Sequence, residues 1–123
     1  MTTKHQMRNE NITNLQAELI KALANPVRLR LLHELRRGQK TATDLVNACG
    51  LSKANVSQHI NLLKKEGLVR CTKRGTFCHY SIADPRIVEA VTLLQQVLRA
   101  RLHPSQRRIN GRTRAKPSAV SAK

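Results

Sequence analysis

The side chains able to do redox or metal chemistry are three cysteines, at 49, 71 and 78, and five histidines, at 5, 33, 59, 79 and 103. Cys71 and Cys78 lie in two runs with strand character, Leu68-Val69-Arg70-Cys71-Thr72 and Phe77-Cys78-His79-Tyr80-Ser81-Ile82. The basic turn Lys73-Arg74-Gly75-Thr76 joins them as a hairpin. The register decides whether the two thiols meet. A two-residue turn at Arg74-Gly75 sets Cys71 opposite Cys78. A three-residue loop with a bulge at Gly75 separates them. Together, with Arg70 and Arg74 nearby to favour thiolates, they could form a redox switch or hold a soft metal or metalloid ion. Apart, each is an ordinary small hydrophobe. Cys49, at a helix end, reads as a packing residue.

A second group could do recognition chemistry. Ser52, Lys53, Asn55, Ser57, Gln58, His59 and Asn61 fall within ten residues. Their hydroxyls, amides and cations can donate to and accept from base edges in a DNA major groove. Arg70, Lys73 and Arg74, in the hairpin that follows, can hold phosphates or enter a minor groove. The bland reading of any one of these residues is a solvated surface. No paired carboxylates, glycine-rich phosphate loop or Cys–His arrangement with an orienting acid is present, so an enzyme is not expected.

These side chains need a scaffold, and the spacing of apolar residues supplies one. Ile12, Leu15, Leu19, Ile20 and Leu23 share a helix face over 12–24. Asn25-Pro26 ends that helix and starts a second, with Asn as cap and Pro pre-set for the first turn. Val27, Leu31, Leu32 and Leu35 form its buried stripe, and Gly38 stops it. Thr43 can cap a short third helix closed by Gly50. Ser52 caps a fourth, ending at Glu66-Gly67, with Val56, Ile60 and Leu63 inward. After the hairpin, Asp84-Pro85 opens a fifth helix to about Leu102. The fold expected is mostly α with a small β-hairpin wing: a winged helix-turn-helix of about five helices.

Charge agrees with a polyanionic partner. The 123 residues hold 23 Lys and Arg against 7 Asp and Glu, a formal net charge of +16. Half of that excess lies in residues 99–123, which hold 8 basic and no acidic side chains. Residues 1–11 and 104–123 read as disordered, the latter as a basic tail, leaving one domain over 12–103. No apolar run is long enough for a membrane span, and the first ten residues lack the apolar stretch of a signal peptide. A cytoplasmic protein with reduced thiols is expected. The fifth helix is apolar over roughly 200° of its circumference, against about 100° for a one-sided surface helix. A second copy is the simplest cover for the remainder.

The sequence resembles the ArsR/SmtB family of bacterial winged-helix transcriptional repressors over residues 12 to about 102. The resemblance is carried by Lys21-Ala-Leu-Ala-Asn-Pro-Val-Arg-Leu-Arg-Leu-Leu32, Asp44-Leu45, Gly50-Leu-Ser-Lys-Ala-Asn-Val-Ser-Gln-His-Ile60, Leu63-Lys-Lys-Glu-Gly-Leu-Val69, Gly75 and His79-Tyr80-Ser81-Ile82. It implies a homodimer joined by the first and fifth helices. It also implies an imperfect inverted-repeat operator in double-stranded DNA, and release when an inducer binds or oxidises the protein. His59 falls where the family has a histidine in the recognition helix, implying positioning or phosphate contact.

The family's sensor positions are not filled. Thr41-Ala42-Thr43 stands where arsenic sensors carry Cys-Val-Cys. Of the zinc sensors' ligands Asp84 is kept, but Arg86, and residues near Val97 and Ala100, replace the rest. The persulfide sensors' cysteines, in the second and last helices, are also missing. Cys71 and Cys78 remain as the sensor candidates. The alternative function is non-specific, nucleoid-type DNA binding by a basic protein.

Overall fold

The computed structural model describes the backbone of residues 4–103 and the side chains of residues 11–103. The basic tail expected over 104–123 lies outside the described residues. Five helices and one antiparallel hairpin follow in the order α1 (Lys4–Leu23), α2 (Pro26–Arg36), α3 (Ala42–Cys49), α4 (Lys53–Lys65), β1 (Val69–Arg74), β2 (Phe77–Ile82) and α5 (Pro85–Leu102). The described residues divide into two units within α5, the first ending at Val88 and the second beginning at Glu89.

Helix α1 begins at Lys4, eight residues before the apolar period does, so the expectation of disorder across 1–11 fails for residues 4–11. No Gly or Pro interrupts 4–23, and Lys, Gln, Met, Arg and Glu are good helix formers. Propensity extends the helix where hydrophobic pattern gives no sign of it.

The α1–α2 break is as expected. Asn25 has an extended backbone, and its Oδ1 accepts from the amides of Val27 (2.9 Å) and Arg28 (3.1 Å) ahead of Pro26. The cap of α3 is Thr41 and not Thr43. Thr41 Oγ1 accepts from the Asp44 amide (3.2 Å), while Asp44 Oδ2 accepts from the Thr41 amide (2.9 Å). This reciprocal pair satisfies two otherwise unpaired donors, which a Thr43 cap would not. The Thr41 backbone amide first, and the Thr41 hydroxyl after it, hold the Asp44 carboxyl below the usual carboxylate range. Gly50 closes α3 with φ +65°, a left-handed conformation that a side chain would strain. Arg30 Nη1 also donates to the carbonyl of Cys49 (2.9 Å), tying α2 to the same helix end.

One apolar cluster joins the end of α1, α2, α3, α4 and the start of the hairpin. Leu31, Leu32 and Leu35 from α2 meet Leu45 and Cys49 from α3, Val56, Ile60 and Leu63 from α4, and Ala22, Leu68 and Val69. Val27 packs on it half-buried. Leu45 and Val56 are fully buried, fixing α3 against α4 on either side of the Gly50–Ser52 turn. With α4 pinned by Val56, Ile60 and Leu63, its other face is left to solvent. In α5, Val88 and Val91 are buried, while Leu93, Leu94, Val97, Leu98 and Leu102 are exposed in the single chain. On α1, Ile12, Leu15 and Ile20 are exposed too. No helix among the described residues is long and apolar enough to cross a membrane.

Candidate nucleic-acid interface and thiol pair

Ser52 starts α4, its Oγ accepting from the Asn55 amide at 3.1 Å. Its hydroxyl therefore serves the helix as a cap, although the residue itself is exposed. Lys53, Asn55, Ser57, Gln58 and Asn61 are exposed on the same helix. His59 is half-buried, and its Nδ1 accepts from Nη1 of Arg28 at 3.2 Å. Arg28 also donates from Nε to the Ala22 carbonyl (2.6 Å) and from Nη2 to the Lys21 carbonyl (3.4 Å). One guanidinium thus ties the end of α1 to the middle of α4. This geometry ties the His59 ring to Arg28 through Nδ1 and puts the ring's own N–H at Nε2.

Sequence reasoning missed Arg28. A signal was there: it lies three and four residues before Leu31 and Leu32, on the stripe that turns inward, and a cation there needs acceptors.

The hairpin follows α4 directly, and its register differs from both of the expected ones. The pairs run Val69↔Ile82, Arg70↔Ser81, Cys71↔Tyr80, Thr72↔His79, Lys73↔Cys78 and Arg74↔Phe77. The turn is Gly75-Thr76, one residue later than a turn at Arg74-Gly75. Gly75 supplies φ +66° at the first central position, which matches a two-residue hairpin turn with Gly leading. Strand β1 accordingly continues to Arg74 instead of ending at Thr72.

Cys71 and Cys78 are therefore diagonal and not directly opposed, yet both project from the hairpin face shared by Val69, Lys73, Tyr80 and Ile82. Their Cα atoms are 5.7 Å apart, and a disulfide joins them. Arg70 and Arg74, expected beside the thiols, project from the opposite face by strand alternation. Lys73 is the cation on the cysteine face. Arg70 Nη2 donates to the Ala83 carbonyl at 3.2 Å, and Lys73 and Arg74 are exposed.

Strand β2 has a further neighbour. The Lys40 amide donates to the Tyr80 carbonyl (3.1 Å), and the Tyr80 amide donates back to the Lys40 carbonyl (2.8 Å). Tyr80 is thus flanked by Lys40, next to the Thr41 cap of α3, and by Cys71. Cys49 is the remaining cysteine; it is buried, and burial pushes its thiol pKa up, as a packing residue requires.

Among the described residues no group of three or more His, Cys, Asp and Glu side chains gathers to hold a metal ion. The two wing sulfurs are bonded to each other, and once reduced they would offer two soft donors. That number falls short of the four ligands zinc takes in structural sites.

Two short helices across a tight turn, followed by a hairpin, are matched in known proteins. A family described as a helix-turn-helix domain matches residues 23–72. The HTH-type transcriptional regulator Rv0081 of Mycobacterium tuberculosis is 34% identical over 93 residues, covering 75% of this chain and 82% of its own. Its crystal structure superposes with a TM-score of 0.67, covering 77% of this chain and 95% of that one. The HTH-type transcriptional repressor SmtB of the same species is 35% identical over 80 residues, 65% of this chain and 59% of its own. The chain belongs to the ArsR/SmtB family of transcriptional regulators.

Other ArsR/SmtB-type proteins agree. The solution structure of Mb0332 from Mycobacterium bovis is described as a homodimeric winged helix-turn-helix DNA-binding domain and a possible ArsR-family regulator. It matches with a TM-score of 0.72 at 28% identity, over 83% of this chain and 92% of that one. A probable mercury resistance operon repressor of Streptomyces lividans is 38% identical over 77 residues, 63% of this chain. The match spans 62% of that repressor, less than two thirds of its length. The winged helix-turn-helix expected from the sequence is the fold of this ArsR/SmtB member, and the family is one of regulators and not of enzymes.

Proposed function

We propose that this chain is a homodimeric, cytoplasmic repressor that reads an inverted-repeat operator through α4 and the hairpin wing. A thiol-directed signal at Cys71 and Cys78 would release it. The observation that carries the DNA reading is the division of α4. Val56, Ile60 and Leu63 are buried, while Ser57, Gln58 and Asn61 are exposed. That presents amide and hydroxyl groups suited to base edges on a rigid element. Lys53, Lys73 and Arg74 would hold phosphates and set the register. The exposed leucines of α5 and the apolar face of α1 support a two-fold partner.

The wing disulfide supports the signal. A DNA regulator works where thiols are kept reduced, and disulfides found there are usually transient and redox-sensing. In the step proposed, each thiol loses a proton and an electron, one S–S bond forms, and a peroxide or disulfide oxidant takes up both electrons. The bond would cross-link β1 to β2 beside Tyr80, which pairs with Lys40 at the start of the helix-turn-helix. Similarity to a repressor named for mercury is compatible with thiol chemistry, and a soft cation on the reduced pair is the metal form of the same reading. The test is binding to promoter and random duplexes at several salt concentrations. Promoter affinity well above random affinity is expected; equal affinities with a steep salt slope favour the non-specific reading, which the +16 charge alone would support.

A further inference from the structure

The chain has one Phe, one Tyr and no Trp, yet its Phe77 is 63% exposed. A single exposed apolar side chain needs no explanation by itself. Its position does. Phe77 is the cross-strand partner of Arg74 in the pair that closes the hairpin, so the two side chains share one face at the wing tip. Tyr80 and Ile82, on the other face of β2, pack against the core, which places Phe77 on the side turned away from it. The turn beyond is Gly75-Thr76, two small residues that keep the tip narrow.

We infer that the wing tip is an apolar and basic minor-groove contact, in which Phe77 packs against sugars and base edges while Arg74 meets a flanking phosphate. The inference rests on the DNA reading proposed above and adds a residue to it. The partner is argued from charge and shape. A face pairing an exposed aromatic ring with a guanidinium suits a polyanion with apolar sugar walls. A narrow tip suits a groove about 6 Å wide. Minor-groove proteins place Phe beside cations as well, there as a wedge between base steps.

Because the chain has no tryptophan, Phe77→Trp places a single fluorescent reporter at the tip. Titration with the promoter duplex should quench or shift its emission in step with binding followed by gel shift. Phe77→Ala should weaken wild-type binding roughly tenfold. The slope of log affinity against log salt should stay unchanged, because no phosphate contact is lost, whereas Arg74→Ala should lower that slope by about one. Full binding by Phe77→Ala, or silent emission from the Phe77→Trp variant on a duplex that gel shift shows to be bound, overturns the contact while leaving DNA binding standing. Emission that follows protein concentration without DNA also overturns it, by placing Phe77 between copies of the chain. Failure of wild type to bind any duplex would bring down the DNA reading and the contact with it.

Discussion

Arg28 on α2 donates to Nδ1 of His59 on α4 across 3.2 Å, and the same guanidinium donates to the carbonyls of Ala22 and Lys21 at the end of α1. Three elements therefore share one cation. α4 is set in place by this link as well as by its apolar residues.

Replacing Arg28 with Ala would leave the two carbonyls and the imidazole without that donor. A loss of about 2 kcal/mol in stability is expected. It should appear as a lower urea midpoint with an unchanged slope. Arg28→Lys should recover only part of it, because an ammonium cannot match the planar fork that serves three acceptors here.

The thiol pair makes a separate prediction. Under reductant, wild type, Cys71→Ser and Cys78→Ser should bind the promoter alike. Under a mild oxidant wild type should lose roughly tenfold or more in affinity, about 1.4 kcal/mol per decade, while both variants stay bound. Gel shift with matched redox buffers makes the comparison. Variants that still respond would move the signal away from the wing.

Leu94 is 65% exposed in the single chain, so Leu94→Glu should leave the helical circular dichroism of the monomer intact. If α5 meets a second copy there, the buried charge would cost several kcal/mol at the interface. Sedimentation at micromolar concentration should then find dimeric wild type and monomeric variant.

Residues 104–123 hold six basic side chains. Their removal should flatten the salt dependence of DNA binding and leave the preference for promoter over random duplex intact, since phosphate contacts carry no base information. Affinity measured between low and moderate salt for full-length and shortened chains gives both quantities.

Most of the fold was legible because caps and apolar spacing agreed. Asn25-Pro26, Ser52 and Gly50 each mark a boundary by local chemistry, and Val56, Ile60 and Leu63 mark a face by period. The misplacements have physical causes. Thr41 and Thr43 are equally good caps in isolation, and the carboxylate of Asp44 three residues on decides for Thr41. The start of α1 rests on propensity and not on apolar spacing. The hairpin register hung on which residue led the turn; Gly75 does, and the cysteines became a diagonal pair. The polar face of α4 could be read directly. The Arg28–His59 link could not, because it joins residues far apart in sequence.

Reading of DNA sequence by α4 can be measured with the Ser57→Ala, Gln58→Ala double variant. Both residues are exposed, so the fold should be kept. Affinity for promoter and random duplexes is measured for wild type and variant at one salt concentration. Promoter affinity is expected to fall toward random affinity, with the random value nearly unchanged, because base contacts are lost and phosphate contacts kept. A double variant that still separates promoter from random DNA as well as wild type does would contradict sequence reading by α4.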